Sequence, residues 1–286
     1  MRIEENNKET QQEIYISEIL NEYEYVDYFF ITVKSVENTY FLKIQENENV
    51  FEKNINDRIV LKYNDIDIIS IDEVIQNEKH IRIFFWDTFK KLIKSLSLLN
   101  QYNILHLQLN NNIVYCRDTL EVYICNFKES IHCKDVETLC KYNPRKYQWP
   151  LEYHIACYVN DILKEEDIKV IIDNFIKYHP ILPYLGDTFM EKYKKEATNY
   201  IYSFIHIEKQ TIIEIIKEFM NKWDSYGLCI HYLYYMKDLF FKEINSNTKM
   251  GCIMDICIKQ ISPDPNNRLN HDGIYEILMN HIELAV

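Results

Sequence analysis

The side chains able to do chemistry in this sequence fall into a few short groups. His132, Cys133, Cys140 and His154 could in principle collect a zinc ion, but their spacing fits no tight-turn zinc motif. The eight cysteines show no paired CxxC spacing and read as reduced thiols, mostly buried small hydrophobes. His106 sits between Leu105 and Leu107, which favours packing over proton transfer. Asp224 stands at the start of an apolar helical pattern, where a carboxylate is an N-cap. Phosphate chemistry meets a harder limit. The only glycines are Gly186, Gly227, Gly251 and Gly273, so the first 185 residues hold none. A P-loop and a Rossmann fingerprint are thereby excluded from that region.

The elements that must position these groups change character along the chain. Residues 1–12 read as frayed. From Tyr25 the pattern is β: YVDYFFITVK, a turn near Ser35–Asn38, TYFLKI, then RIVLKY (58–63) and IDIISI (66–71). The first 85 residues therefore predict an antiparallel sheet with little helix. Asp87 or Thr88 then caps a helix whose apolar face is Phe89, Leu92, Ile93, Leu96 and Leu99. Short apolar pieces follow, NILHLQL, NNIVYC and EVYICNF. Beyond residue 150 the spacing predicts helices over 155–164, 167–178, 187–207, 210–221, 224–243, 250–260 and 271–282, with prolines marking breaks.

Composition narrows the partners. Lys and Arg number 32 against 44 Asp and Glu, a net charge of −12, which argues against phosphate-backbone binding and hence against nucleic acid. Residues 1–85 carry 9 basic and 18 acidic side chains, a poor setting for a polyphosphate. No apolar run approaches the ~20 residues that span a bilayer, and the polar, acidic amino terminus does not read as a signal peptide. The expectation is a cytoplasmic protein without membrane insertion.

The order of a β-rich lobe followed by a helical one, with certain residues at the junctions, resembles the protein-kinase fold. His106-Leu107-Gln108-Leu109 followed by Asn112-Ile113-Val114 resembles the catalytic loop, and Val122 to Lys128 resembles the strand entering the DFG motif. Trp149-Pro150-Leu151-Glu152 resembles the Pro-Glu element. Trp223-Asp224-Ser225-Tyr226-Gly227-Leu228 resembles the start of the central large-lobe helix, and Arg268 matches an arginine that pairs the Pro-Glu glutamate. The resemblance spans about residues 20–282 and is closest to divergent kinase-like proteins of large DNA viruses. It implies an α+β bilobal fold: a small antiparallel lobe over 1–85 and an expanded helical lobe over 86–286, with a helical insertion at about 161–222. It also implies a structural His106, an Asp224 that fastens the catalytic loop, and a buried Glu152–Arg268 pair. That insertion reads equally as an elaboration of the large lobe or as a partner-binding surface.

The departures decide the expected function. Gln108 stands where the family has its catalytic Asp, and an amide cannot serve as a base. Asn110 replaces the loop lysine, Asn126 the metal-binding Asp and Lys128 the DFG glycine. Asn112 alone survives as a Mg²⁺ ligand, and one neutral oxygen holds Mg²⁺ badly. Lys43 sits where a strand lysine would, either solvated or facing the cleft, with no clear glutamate partner. The sequence therefore predicts a pseudokinase with no catalytic residues, no cofactor and no metal, acting through protein partners as a scaffold, regulator or virion-associated protein. The alternatives are a divergent Ser/Thr kinase using ATP and Mg²⁺, and a purely structural virion protein; in the viral case the location is host cytoplasm or virion.

Overall fold

The computed structural model describes residues 2–38, 58–77, 81–138, 141–240 and 248–283. Lys43 and Cys140 lie outside the described residues. The architecture is α+β.

The amino-terminal region departs most from expectation. Arg2–Glu5 forms β1, and α1 (Lys8–Asn21) follows, so residues 1–12 are not frayed. Asn7 caps α1, its side-chain oxygen accepting from the Thr10 N–H at 3.0 Å. The buried stripe of α1 is Thr10, Glu13, Ile16, Ser17 and Leu20, which keeps helical spacing but uses three polar residues. That substitution hid the helix from a reading of apolar periodicity. A single turn, α2 (Val26–Phe29), and the strands β2 (Phe30–Ile31) and β3 (Val33–Asn38) replace the long strand expected from Tyr25. The turn expected near Ser35–Asn38 is strand.

β4 (Arg58–Tyr63) runs antiparallel to both β1 and β3, giving a three-stranded sheet of order β1-β4-β3. β5 is only Ile68–Ile69, because α3 (Ile71–Asn77) begins two residues later. α4 runs over Ile81–Gln101, so a helix start at Asp87 or Thr88 is incorrect, and the helix is continuous through residues 85 and 86. Thr88 lies buried mid-helix, its hydroxyl bonded to the Phe84 carbonyl at 2.8 Å and 2.8 Å from the Tyr232 hydroxyl. Ile83–Trp86 is apolar on adjacent positions and so carried no helical spacing to read.

Beyond α4 come β6 (Ile104–Leu105), β7 (Ile113–Cys116), β8 (Val122–Cys125) and β9 (Ile131–His132). β6 pairs with β9, while β2-β8-β7-β5 form a second sheet in which β2 runs parallel to β8. The rest is helical: α5 (Leu151–Tyr158), α6 (Glu165–Tyr178), α7 (Asp187–Tyr202), α8 (Lys209–Lys217), α9 (Trp223–Phe240), α10 (Lys249–Gln260) and α11 (His271–Glu283). Residues 161–222 hold α6 to α8 and short 3-10 turns; their one β feature is a single bridge between Ile162 and Glu208.

One continuous hydrophobic core runs from Ile16 and Leu20 of α1 through Phe85, Phe89, Phe127 and Trp223 to Leu278 of α11. The three-stranded sheet keeps only a small cluster of its own, Val33, Ile59 and Leu61. Helix α1 is thus the wedge that fastens the small sheet to the rest. No helix among the described residues is long and apolar enough to cross a membrane.

Candidate functional site

The loop between β6 and β7 is fixed from below by α9. Asp224, in the first turn of α9 rather than at its cap, accepts the His106 and Leu107 N–H groups, each at 2.8 Å. Burial pushes its carboxyl up to about 6, against the pull of those two donors. Leu107 has φ 61°, a left-handed conformation the two bonds hold in place. Its carbonyl accepts the Trp149 indole N–H at 3.0 Å, tying the loop to the segment before α5. Asp224→Asn should cost about 1–3 kcal/mol, because one amide oxygen cannot serve two donors and the NH₂ faces the other. Chemical denaturation checks this, together with faster amide exchange confined first to residues 106 and 107.

His106 is fully buried and fully committed. Its Nε2–H donates to the Cys125 carbonyl at 3.0 Å, and its Nδ1 accepts the Gln108 N–H at 3.3 Å. A carbonyl only accepts and a backbone N–H only donates, which fixes the neutral tautomer. Burial holds its pKa down at about 4, and its ring packs edge-on against Phe127 at 5.2 Å. Acid–base work is excluded for this imidazole.

The amides beyond it satisfy one another. Asn112 donates to the Gln108 carbonyl at 2.6 Å and accepts from the Asn126 amide at 2.9 Å. The Asn110 side chain donates to the Tyr147 hydroxyl at 2.6 Å, and its N–H bonds the Gln148 side chain at 2.9 Å. With its amide nitrogen turned to the carboxylate, Gln108 donates to both oxygens of Glu129 at 2.8 and 3.0 Å. Lys146 closes the same carboxylate from the other side at 2.6 and 2.5 Å. Asn126 has φ 61° and a buried side-chain oxygen without a hydrogen-bond partner.

Above this floor lies a second charged group that sequence reading missed. Lys128 pairs with Glu4 of β1 at 2.8 Å, and Glu4 also pairs with Arg2. Glu13 of α1 is almost wholly buried, accepts the Tyr63 hydroxyl at 3.1 Å, and has its other oxygen unpartnered. Burial raises its pKa, opposed by the Tyr63 bond and the charges of Arg2 and Lys128. Glu13 lies just beyond the segment read as frayed and was not singled out in the sequence. Glu129 and Lys146 carried no signal, since only the fold brings them to Gln108.

Glu152 and Arg268 stand apart from this cleft. Arg268 donates to both Glu152 oxygens at 2.7 and 3.0 Å, and both side chains are fully buried. Of the zinc candidates, His154 spends its Nε2 on the Lys146 carbonyl at 3.1 Å. Among the described residues no three His, Cys, Asp or Glu side chains converge on a common point.

No family model matches the sequence, and no curated protein matches it either.

Proposed function

We propose that this chain is a catalytically silent member of the protein-kinase-like fold that works by binding other proteins. One observation carries the reading: every station at which phosphoryl transfer needs a base, a metal carboxylate or an open phosphate site holds an amide or a paired lysine. Gln108, Asn112 and Asn126 are bonded to one another or to Glu129, and Lys128 is bonded to Glu4. Phosphoryl transfer rests on positioning and charge neutralisation, so losing these groups removes most of its catalysis.

The arrangement of elements supports the bilobal reading. In protein kinases a strand lysine pairs with a glutamate on the helix that follows. Here the strand cation Arg2 pairs with Glu4 of its own strand, and its charge reaches Glu13 on the helix that follows. Lys128 is bonded to the same Glu4, so the glycine position of the DFG element carries a paired cation.

A divergent kinase is the second reading, and Glu129 is what favours it: a carboxylate within hydrogen-bond reach of the Gln108 side chain. A phosphotransfer assay with labelled ATP and Mg²⁺ or Mn²⁺ separates the two. No incorporation into the protein or a general substrate is expected; incorporation lost in Glu129→Gln would establish the kinase. Restoring the carboxylate should not restore activity. Gln108→Asp brings a second carboxylate close to Glu129, so their repulsion raises the pKa of the pair and stability at pH 7 falls by roughly 1–2 kcal/mol. Denaturation at pH 5 and 7 checks this, the deficit shrinking at the lower pH.

A further inference from the structure

Helices α6 and α7 rest on α5 through a chain of aromatic rings that includes two histidines. His154 of α5 lies edge-on to Phe175 of α6 at 5.4 Å, and His179, the residue capping α6, lies 6.0 Å from the same phenyl ring. Tyr193 of α7 completes the set, 6.0 Å from His179 and stacked on Phe175 at 6.5 Å. His154, Phe175, His179 and Tyr193 are all buried.

The hydrogen bonds require a neutral His179, and burial without a partner for its second nitrogen disfavours a charge on His154. His179 Nδ1 accepts the Ile181 and Leu182 N–H groups, each at 3.3 Å, so a proton there would face two donors. The other nitrogen, Nε2, has no partner. His154 donates Nε2–H to the Lys146 carbonyl and leaves Nδ1 buried without a partner. A proton on Nδ1 would place an unpaired charge against Phe175.

Little around the pair could stabilise imidazolium. The nearest titratable groups are phenols: Tyr142, edge-on to His154 at 5.8 Å, Tyr158 behind it, and Tyr193. The charged side chains nearby are engaged elsewhere. Lys146 holds Glu129, Arg268 holds Glu152, Asp167 accepts from Tyr158, and Lys194 bridges from α7 to Asp173 of α6. Burial lowers the pKa of His154 to about 4 and of His179 to about 3.

We propose that His154 and His179 form an acid-sensitive clasp, which holds the α6–α7 unit on α5 while neutral and releases it on taking up two protons. Two buried cations in contact with one phenyl would repel, so the closed state resists both protonations and the open state takes both. Opening would bare the apolar stripe Ile168, Ile171, Ile172 and Phe175.

Amide exchange of the whole chain, expressed as protection factors between pH 7 and 5, tests this. Protection in α6 and α7 should fall by roughly 600-fold over this range, steepening towards about 100-fold per pH unit near pH 5, the signature of two protons, while α9 stays the better protected. His154→Gln keeps a donor for the Lys146 carbonyl, and His179→Asn keeps an acceptor for the two N–H groups; neither titrates. The double variant should lose the pH dependence in α6–α7, and each single variant should reduce it to about tenfold per unit near pH 5. Loss of protection in α6–α7 and α9 together in the wild type would overturn the proposal, as would an unchanged slope in the double variant.

Discussion

Arg268→Ala should destabilise the protein by about 3–5 kcal/mol, because it strands the Glu152 carboxylate unpaired in a fully buried site. The pair is bidentate and both side chains are fully buried. Arg268 also donates to the Ser262 carbonyl at 2.8 Å and lies over the Tyr226 ring at 4.8 Å, so the loop before α11 loses its anchor too. A drop in Tm of roughly 8–15 °C is the corresponding scale. Glu152→Leu with Arg268→Met removes both charges, and should cost clearly less than the two single changes summed. Urea denaturation of the four proteins checks the cycle. A single variant within about 1 kcal/mol of wild type would mean the pair carries little of the stability.

Mild acid should unfold the protein. His106, His154, His231 and His271 have pKa values held down to about 4 by burial, and His179 to about 3, against 6.5 in an exposed imidazole. Between those values the unfolded chain binds protons that the folded protein cannot, so stability is intact above about pH 6.5 and falls as pH drops. At pH 5 the linkage amounts to about 2 kcal/mol per histidine, or roughly 9 kcal/mol for the five. A domain is typically stable by about 5–15 kcal/mol. Asp224, with its pKa raised to about 6, runs the other way and returns roughly 1 kcal/mol as pH falls, and Glu13 shifts in the same direction. The expected result is a cooperative transition below about pH 5, beneath the range in which α6–α7 open, followed by near-ultraviolet circular dichroism. Native signal persisting below about pH 3.5 would contradict it.

How much of this was legible in the sequence depended on what the core uses. Helices α6 to α11 were readable because apolar residues such as Ile168, Ile171, Ile172 and Phe175 recur at helical spacing between prolines. α1 was not, because Thr10, Glu13 and Ser17 hold positions in its buried stripe. The candidate site divides the same way. Gln108, Asn112 and Asn126 could be found from the order of residues around them. Their partners Glu129 and Lys146, and the Lys128–Glu4 closure, depend on chain segments that only tertiary packing brings together.

The closure of the cleft is the central claim, and nucleotide binding tests it most directly. On the proposed kinase-like reading, Lys128 and Arg2, both paired with Glu4, stand where phosphates would bind, and Asn126 stands at the metal-ligand position. Titration of the wild type with ATP, with and without Mn²⁺, followed by thermal unfolding, should leave Tm unchanged. A ligand at 100 times its Kd would add about 2.7 kcal/mol of stability, a shift of several degrees. A saturable, Mn²⁺-dependent rise of that size would contradict the account.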